Sequence, residues 1–246
     1  ANPYIISMGS EETGTRRLNL AQSFNPLGSI SGVILSKLFI LSHLNLSSAE
    51  ERANMASEQL RVIQSEELVS VMVPYVGVAV CLLLLWIAVT LTNMPIASDE
   101  SNSLKLVPSI KRLIRKQNYR WAVIAQFFYM GAQIGVWSFT IRYVMQELGS
   151  NEDNAANYYL ASLILFSISR FIFTGLMKYI SPRKLLLLSA VGGGVCTLFV
   201  MFTGGYMGVI CLVAISGFMS LMFPTIYGLG MKGLGEDTKL GGSGLI

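Results

Sequence analysis

LNLAQSFNPLGSISGVILSKLFILS, residues 18–42, decides the class of this chain. Its length suits a helix crossing a bilayer core, which takes about 20 mostly apolar residues. Yet Asn19, Gln22, Asn25 and Pro26 crowd one end. A helix that only sits in lipid has no use for three amides and a proline, so this segment reads as a span with a task beyond anchoring.

Further runs of the same kind follow. Spans are expected at 18–42, 70–94, 119–147, 157–180, 185–203 and 207–231. Residues 1–8, ANPYIISM, read as the tail of a helix, and GGSGLI, 241–246, as the start of another. The expectation is six complete spans and two partial ones, in a fragment of a longer protein. The composition agrees: 52% of residues are hydrophobic, 13% are charged and the mean hydropathy is +0.56. Soluble domains carry about twice that share of charge. The chain is read as an all-α, multi-pass membrane protein whose partner is the lipid bilayer. A β-barrel would show short alternating segments instead.

The net charge of +4 would suggest nucleic acid in a soluble chain, but here the positions of the charges matter more, and no nucleic-acid partner is expected. Of 18 Lys and Arg residues, 13 fall in alternate loops: Arg16 and Arg17, the segment 105–120, Lys178 to Lys184, and Lys232 with Lys239. The opposite loops hold only Arg52 and Arg61. The positive-inside rule puts the first set in the cytoplasm. The longest of these loops, 95–118, ends in LKLVPSIKRLIRKQ, with Leu106, Ile110, Leu113 and Ile114 on one face and basic residues on the other. Such a segment suits the anionic leaflet surface. Its simplest role is a linker between two helical bundles, 1–94 and 119–246.

An internal echo supports two bundles. Pro3 ends a span leading into GSEETGTRR, and Pro224 lies in a span leading into GLGEDTKLGGS. The prolines are 221 positions apart, and the pairs Glu12-Thr13 and Asp237-Thr238 are 225 apart. Six expected spans lie between the matching points, so the repeats share one orientation, as in transporters whose halves are related by an axis along the membrane normal.

Polar side chains inside spans face the bundle interior or a water-filled cavity. Asn19, Gln22, Asn25 and Ser29 recur at steps of three and four and share a helix face. Pro26 lacks a backbone donor and frees a carbonyl one turn back. Two readings fit this helix alone: a site for a hydroxyl-rich solute, or interhelical hydrogen bonding. The span at 119–147 favours the first. Gln126, Tyr129, Gln133, Trp137 and Thr140 form one stripe of amides and aromatic rings. Amides exchange hydrogen bonds with hydroxyls in both directions, while aromatic faces stack on the C–H face of a sugar ring.

Arg170 and Arg142 lie within spans and are expected to be buried, while all 14 acidic residues fall in loops or at helix ends. Arg170 is therefore expected to bond a backbone carbonyl or a residue outside this stretch. Lys37 is expected to snorkel toward water. GGG at 192–194 reads as close helix packing. Cys81, Cys196 and Cys211 lie in apolar runs and read as small packing residues. No catalytic residue, metal site or cofactor is expected: the single histidine, His43, is at an interface, and no HExxH, GxSxG or CxxC occurs. A channel would need a selectivity ring, and no candidate stands out.

Taken with ANPYI, RRLNLAQSFNPLGSI, WAVIAQFFYMGAQIGVWSFTIRYV and FMSLMFPTIYGLGMKGLGEDTKLGGSGLI, the chain resembles the fucose:proton symporter family of the major facilitator superfamily. The resemblance runs over essentially the whole chain. It implies twelve spans in two six-helix halves, with this chain running from the end of the fourth span to the start of the eleventh. Residues 1–94 would complete the N-terminal half, 95–118 form the linker, and 119–246 open the C-terminal half. It implies a monomeric carrier in a bacterial inner membrane that takes up a monosaccharide, L-fucose first, with a proton as coupling ion. The Gln and Asn of the family's NLAQ-x-FN motif contact sugar and match Gln22 and Asn25. SRFIFTGLMKYISPRK, which contains Arg170, resembles a conserved transporter loop with a gating role; Arg142, Pro26 and Pro224 are, with Arg170, expected to have structural or gating tasks. The family's proton-linked acids lie upstream of Ala1. The alternatives are a glucose/galactose carrier of the same family and a sugar-binding membrane sensor.

Overall fold

The computed structural model of the chain describes residues 2–35, 39, 52, 54–92 and 106–246. Its helices, in chain order, are α1 (Asn2–Ser7), α2 (Glu11–Gln22), α3 (Asn25–Leu35), α4 (Ser57–Leu91), α5 (Leu106–Arg115), α6 (Gln117–Leu148), α7 (Glu152–Leu176), α8 (Pro182–Thr203), α9 (Gly205–Met219), α10 (Met222–Gly230) and α11 (Thr238–Ser243), with a 3-10 turn at Gly235–Asp237 before the last. No strand occurs among the described residues. The chain divides into two units: Ala1–Pro26 with Ile96–Ile246, and Leu27–Pro95.

Local chemistry sets the helix ends of the larger unit. The Asn151 side chain accepts the Asn154 N–H at 3.1 Å and caps α7. Pro182 opens α8, where its missing N–H costs nothing. Gly149, at φ 59°, closes α6 in the left-handed conformation that favours glycine. The last carbonyls of α1 are met by an arginine of the next helix: Arg17 donates to Ile5 O at 3.2 Å and Ile6 O at 2.6 Å, and also to Ser10 O and the Thr13 hydroxyl.

The stretch Gly205–Gly230 is the axis of this unit, with 61% of its most apolar window buried, against 17 to 33% for the spans of α6, α7 and α8. Leu18, Tyr129, Phe166, Met219, Tyr227 and Leu245 join in one core around it. The outward faces stay apolar, as at Phe127, Phe128 and Phe202. In water such faces would drive aggregation, and in lipid they are the solvated side. Small residues set the closest approaches. A Cβ on Gly192 would come within 2.6 Å of the Phe218 ring, and one on Gly228 would stand 3.0 Å from the Thr15 Cα. The expected close packing at 192–194 is thus realised at its first glycine.

The expected count of six spans needs correction. Five stretches among the described residues are long and apolar enough to cross a bilayer: Ser57–Leu91, Gln117–Leu148, Asn154–Leu176, Pro182–Thr203 and Gly205–Gly230. The expected span at 18–42 begins earlier, at Glu11, and is two helices parted at Ser23-Phe24, while most of 36–42 lies outside the described residues. The last of the five breaks similarly, at Ser220-Leu221. In each case a proline follows the break by two or three residues, Pro26 and Pro224, and its missing N–H interrupts the ladder of main-chain bonds.

The smaller unit is dominated by α4, which runs unbroken through Pro74 and buries none of its residues. At its foot Arg52 pairs with Glu67 through bonds of 3.0 and 2.5 Å. Lys37, His43 and residues 95–105 of the linker lie outside the described residues.

The described end of the linker, α5, is docked on the larger unit. Arg112 grips Asp237 with two bonds, Nε to Oδ2 at 2.9 Å and Nη2 to Oδ1 at 2.6 Å, while Ser109 and Leu113 are buried. This corrects the expected face: Leu113 packs inward near Gly241, while Ile110 and Ile114 stay exposed. At about 100° per residue, Leu113 lies closer to Ser109 than to Ile114 around the helix, which lets docking divide the apolar set. Just beyond α5, Lys116 donates to Gly233 O, and the Gly233 N–H is accepted by Glu11 Oε1 at 2.7 Å.

Two outcomes follow for these contacts. Gly228→Val drives a side chain into the α2 backbone and should lower stability by about 1–3 kcal/mol, read as a drop in thermal midpoint in detergent. The Arg112 guanidinium holds the Asp237 carboxyl below its ordinary pKa. A depressed carboxylate stabilises fully above its unfolded-state pKa, and that contribution is lost as pH falls through the lowered value. The docking of α5 should therefore hold through neutral and mildly acidic pH. With Arg112 half exposed, the pair is worth about 0.5–1 kcal/mol. Asp237→Asn should speed hydrogen exchange in 106–115 about two- to fivefold at neutral pH.

Candidate functional site

The two helix breaks meet at one side chain. A carbonyl four residues before a proline has no N–H to accept. For Pro26 that carbonyl belongs to Gln22, and for Pro224 it belongs to Ser220. Arg170, on α7, donates from Nη1 to Gln22 O at 3.0 Å and from Nε to Ser220 O at 2.6 Å. Its guanidinium also lies 4.5 Å from the centre of the Phe166 ring.

No ion pair to Arg170 occurs among the described residues, and its side chain is buried. Burying such a cation costs several kcal/mol. Two charge-assisted bonds, at about 1.5–3 kcal/mol each, and a desolvated cation–π contact of about 2 kcal/mol are of the same size. The carbonyl ends of α2 and α9 add their negative dipole ends. The charge is therefore carried by backbone, as the absence of acids within the spans led us to expect. Arg142 does not share this setting. It is exposed, two positions on from the buried Thr140 and so on another face of α6, which corrects the expectation that both arginines are buried.

The stripe on α6 faces inward as its spacing predicts: Gln126, Tyr129 and Thr140 are buried, Gln133 and Trp137 half-buried. Its members hold the same break. The Tyr129 hydroxyl donates to Met219 O at 3.0 Å, and Trp137 Nε1 donates to Ser216 Oγ at 3.3 Å. Trp137 also meets Phe166 edge-on, with ring centres 5.1 Å apart. A continuous path thus runs from Trp137 through Phe166 and Arg170 to the backbone of Gln22.

The amides of α2 and α3 divide by depth. Asn19 is fully buried and spends its side chain on Thr15 O at 2.8 Å and the Thr225 hydroxyl at 3.3 Å. Gln22 is half-buried and donates to Asn2 Oδ1 at 3.0 Å, while exposed Asn25 donates to Gln22 Oε1 at 3.2 Å. Asn2, Gln22 and Asn25 therefore form one amide chain with an open end. Gln126 differs from all of these. Both of its amide atoms are buried without a partner among the described residues, and it borders an open, largely apolar cavity of about 570 Å³. A buried amide left unbonded is costly, and a polar guest would relieve that cost.

Sequence reasoning missed Asn2, Phe166 and Ser216. Asn2 sits beside Pro3 in the quoted ANPYI, and its spacing relative to Gln22 carries no periodic signal. Phe166 is four residues before Arg170, the helical step that sets a ring beneath a guanidinium.

The chain matches the profile of the Major Facilitator Superfamily over residues 1–246. It belongs to the major facilitator superfamily. Within that superfamily it is 39% identical to the L-fucose-proton symporter of Haemophilus influenzae, across all of this chain and 59% of that protein. Identity to the L-fucose-proton symporter of Escherichia coli K12 is also 39%, across all of this chain and 57% of that protein. A glucose/galactose transporter of Brucella abortus is 28% identical, with 56% of its length covered. The crystal structure of the major facilitator transporter FucP in the outward conformation superposes with a TM-score of 0.93 at 38% identity, across 99% of this chain and 60% of that one. The chain thus spans about three fifths of the length of the relatives it matches. These relatives are transporters and not enzymes.

Removing Arg170 should be more damaging than its net contribution suggests, because it strands two buried carbonyls at about 1–3 kcal/mol each. Arg170→Met in the full-length protein should lower stability by about 2–5 kcal/mol in thermal unfolding. Arg170→Lys should recover only part, since one ammonium cannot reproduce the planar fork.

Proposed function

We propose that the full-length protein is a secondary active transporter that takes up a monosaccharide, L-fucose first, together with a proton. The observation that supports this best is 39% identity to two L-fucose-proton symporters along the whole chain. On this reading residues 1–94 complete the N-terminal helical half, 95–118 form a cytoplasmic linker, and 119–246 belong to the C-terminal half of a monomeric carrier in a bacterial inner membrane. The protein needs no cofactor, and the proton is its coupling ion.

In this proposal Gln22 and Asn25 bind sugar from the N-terminal half, with Asn19 behind them. Gln126, Tyr129, Gln133 and Trp137 face them from the C-terminal half. Arg170 and Arg142, with the two helix breaks at Pro26 and Pro224, serve structural and gating roles. The exposed Asn25 amide gives one N–H to Gln22 and keeps its oxygen for a hydroxyl. The unbonded Gln126 amide can exchange hydrogen bonds with hydroxyls, and the Trp137 ring offers a stacking face. The carrier alternates access as its halves rock about the site. Asn19 is the weakest of these assignments, since its bonds are already met by α2 and α10.

A second reading, glucose or galactose as the sugar, draws support from the 28% identity to the Brucella abortus transporter. Adding sugars one at a time to weakly buffered cells that express the full-length protein separates the two. Alkalinisation with L-fucose and not with glucose or galactose is the expected result, and the reverse pattern moves the assignment to the second reading. Losing one neutral hydrogen bond costs about 0.5–1.5 kcal/mol. Gln22→Ala and Asn25→Ala should therefore each weaken apparent sugar affinity roughly two- to tenfold, and unchanged affinity in both would remove these residues from the site.

A further inference from the structure

Around its circumference α5 carries three sectors. The first is docked: Ser109 and Leu113 are buried, and Arg112 is fixed on Asp237. The second is apolar and unburied, with Ile110 at 46% and Ile114 at 57% exposure. The third is basic, with Lys111 and Arg115 exposed beside the isoleucines. Successive residues turn by about 100°, so Ile110 and Ile114 lie about 40° apart, as do Lys111 and Arg115, and the two pairs adjoin.

Docking has already placed the polar contacts of this helix on one side. In water the exposed isoleucines would then be a liability, since nothing in a linker role requires them outside. A helix lying in the interface puts such side chains into the acyl boundary and its lysines and arginines at phosphate level. The neighbouring surface has the same character. Arg120 and Trp121 open α6 exposed, Trp121 at 62%, and an indole with an arginine beside it is a common anchor at the headgroup level. Lys178, between α7 and α8, and Arg183 and Lys184, in the first turn of α8, are exposed on elements separate from α5.

From these sectors we infer that α5 is a binding surface for anionic phospholipid, with Ile110 and Ile114 inserted at the acyl boundary and Lys111 and Arg115 on the phosphates. The inference rests on the cytoplasmic placement of the linker proposed above. The docked sector gives the bound lipid a fixed position on the protein: Arg112 reaches Asp237, and Lys116, just past the helix end, reaches the backbone of Gly233. A lipid seated on α5 therefore steadies the loop after α10 through contacts that α5 already makes.

The test counts lipid directly and does not depend on transport. The full-length protein is purified from nanodiscs containing phosphatidylglycerol and phosphatidylcholine in equal amounts, and retained lipids are counted by native mass spectrometry. The wild type should retain phosphatidylglycerol preferentially. Each basic residue near an anionic surface contributes about a fivefold preference, so Lys111→Gln with Arg115→Gln should weaken retention about 20- to 30-fold. Arg183→Gln with Lys184→Gln removes the same charge from another helix, away from the α5 sectors; it is the control and should leave retention within a few-fold. Equal retention by the wild type and the α5 double variant overturns the inference. A spin label at Ile114→Cys should collide more with oxygen than with a water-soluble nickel chelate, and the opposite order also overturns it. Orientation is checked separately with an impermeant maleimide on Lys184→Cys. Reaction from the periplasmic face overturns the orientation and the inference together. Reaction from the cytoplasmic face, with no lipid preference, overturns the inference alone.

Discussion

The arrangement depends on one guanidinium meeting two carbonyls that prolines have freed. Pro26 and Pro224 break their helices, and each break leaves an acceptor with no main-chain partner. In lipid no water reaches such a group, so a side chain must come to it. Arg170 meets both. The three residues constrain one another. Restoring the N–H at either proline would bring a second donor to a carbonyl that Arg170 already holds, while losing Arg170 strands two acceptors. Tyr129 and Trp137 brace the same break in the axial stretch from a third helix, so the aromatic stripe is structural scaffold and candidate binding face together.

The contacts around this point come from the part of the chain before the linker as well as from the part after it. Arg170 reaches Gln22, Thr225 reaches Asn19, and Glu11 reaches Gly233. The Glu11–Gly233 contact joins the two loops that echo one another in sequence, GSEETGTRR and GLGEDTKLGGS, and Thr225 stands next to the echoed Pro224.

Much of this was legible in the sequence because it follows from spacing or from backbone chemistry. The inward stripe on α6 comes from helical period, the freed carbonyl at Gln22 from Pro26, and the carbonyl partners of Arg170 from the lack of acids in the spans. What was not legible is which distant group completes each local need. Gln22 and Arg170 are 148 positions apart, and no pattern within a single helix names such a pair. The same holds for α5, where periodicity grouped Leu113 with Ile110 and Ile114 and only docking on Asp237 divided them. The unmet amide of Gln126 is a further case: sequence places it on the stripe, but its want of a partner is a property of the packed neighbours.

Gly233 has a consequence of its own. At φ 72° it lies in the left-handed region, with its N–H held by Glu11 and its C=O held by Lys116. The angle between these two directions is fixed by the φ and ψ of this one residue. A side chain at this position would disfavour φ 72° and so strain the anchor to α2 and the anchor to the end of α5 through a single residue.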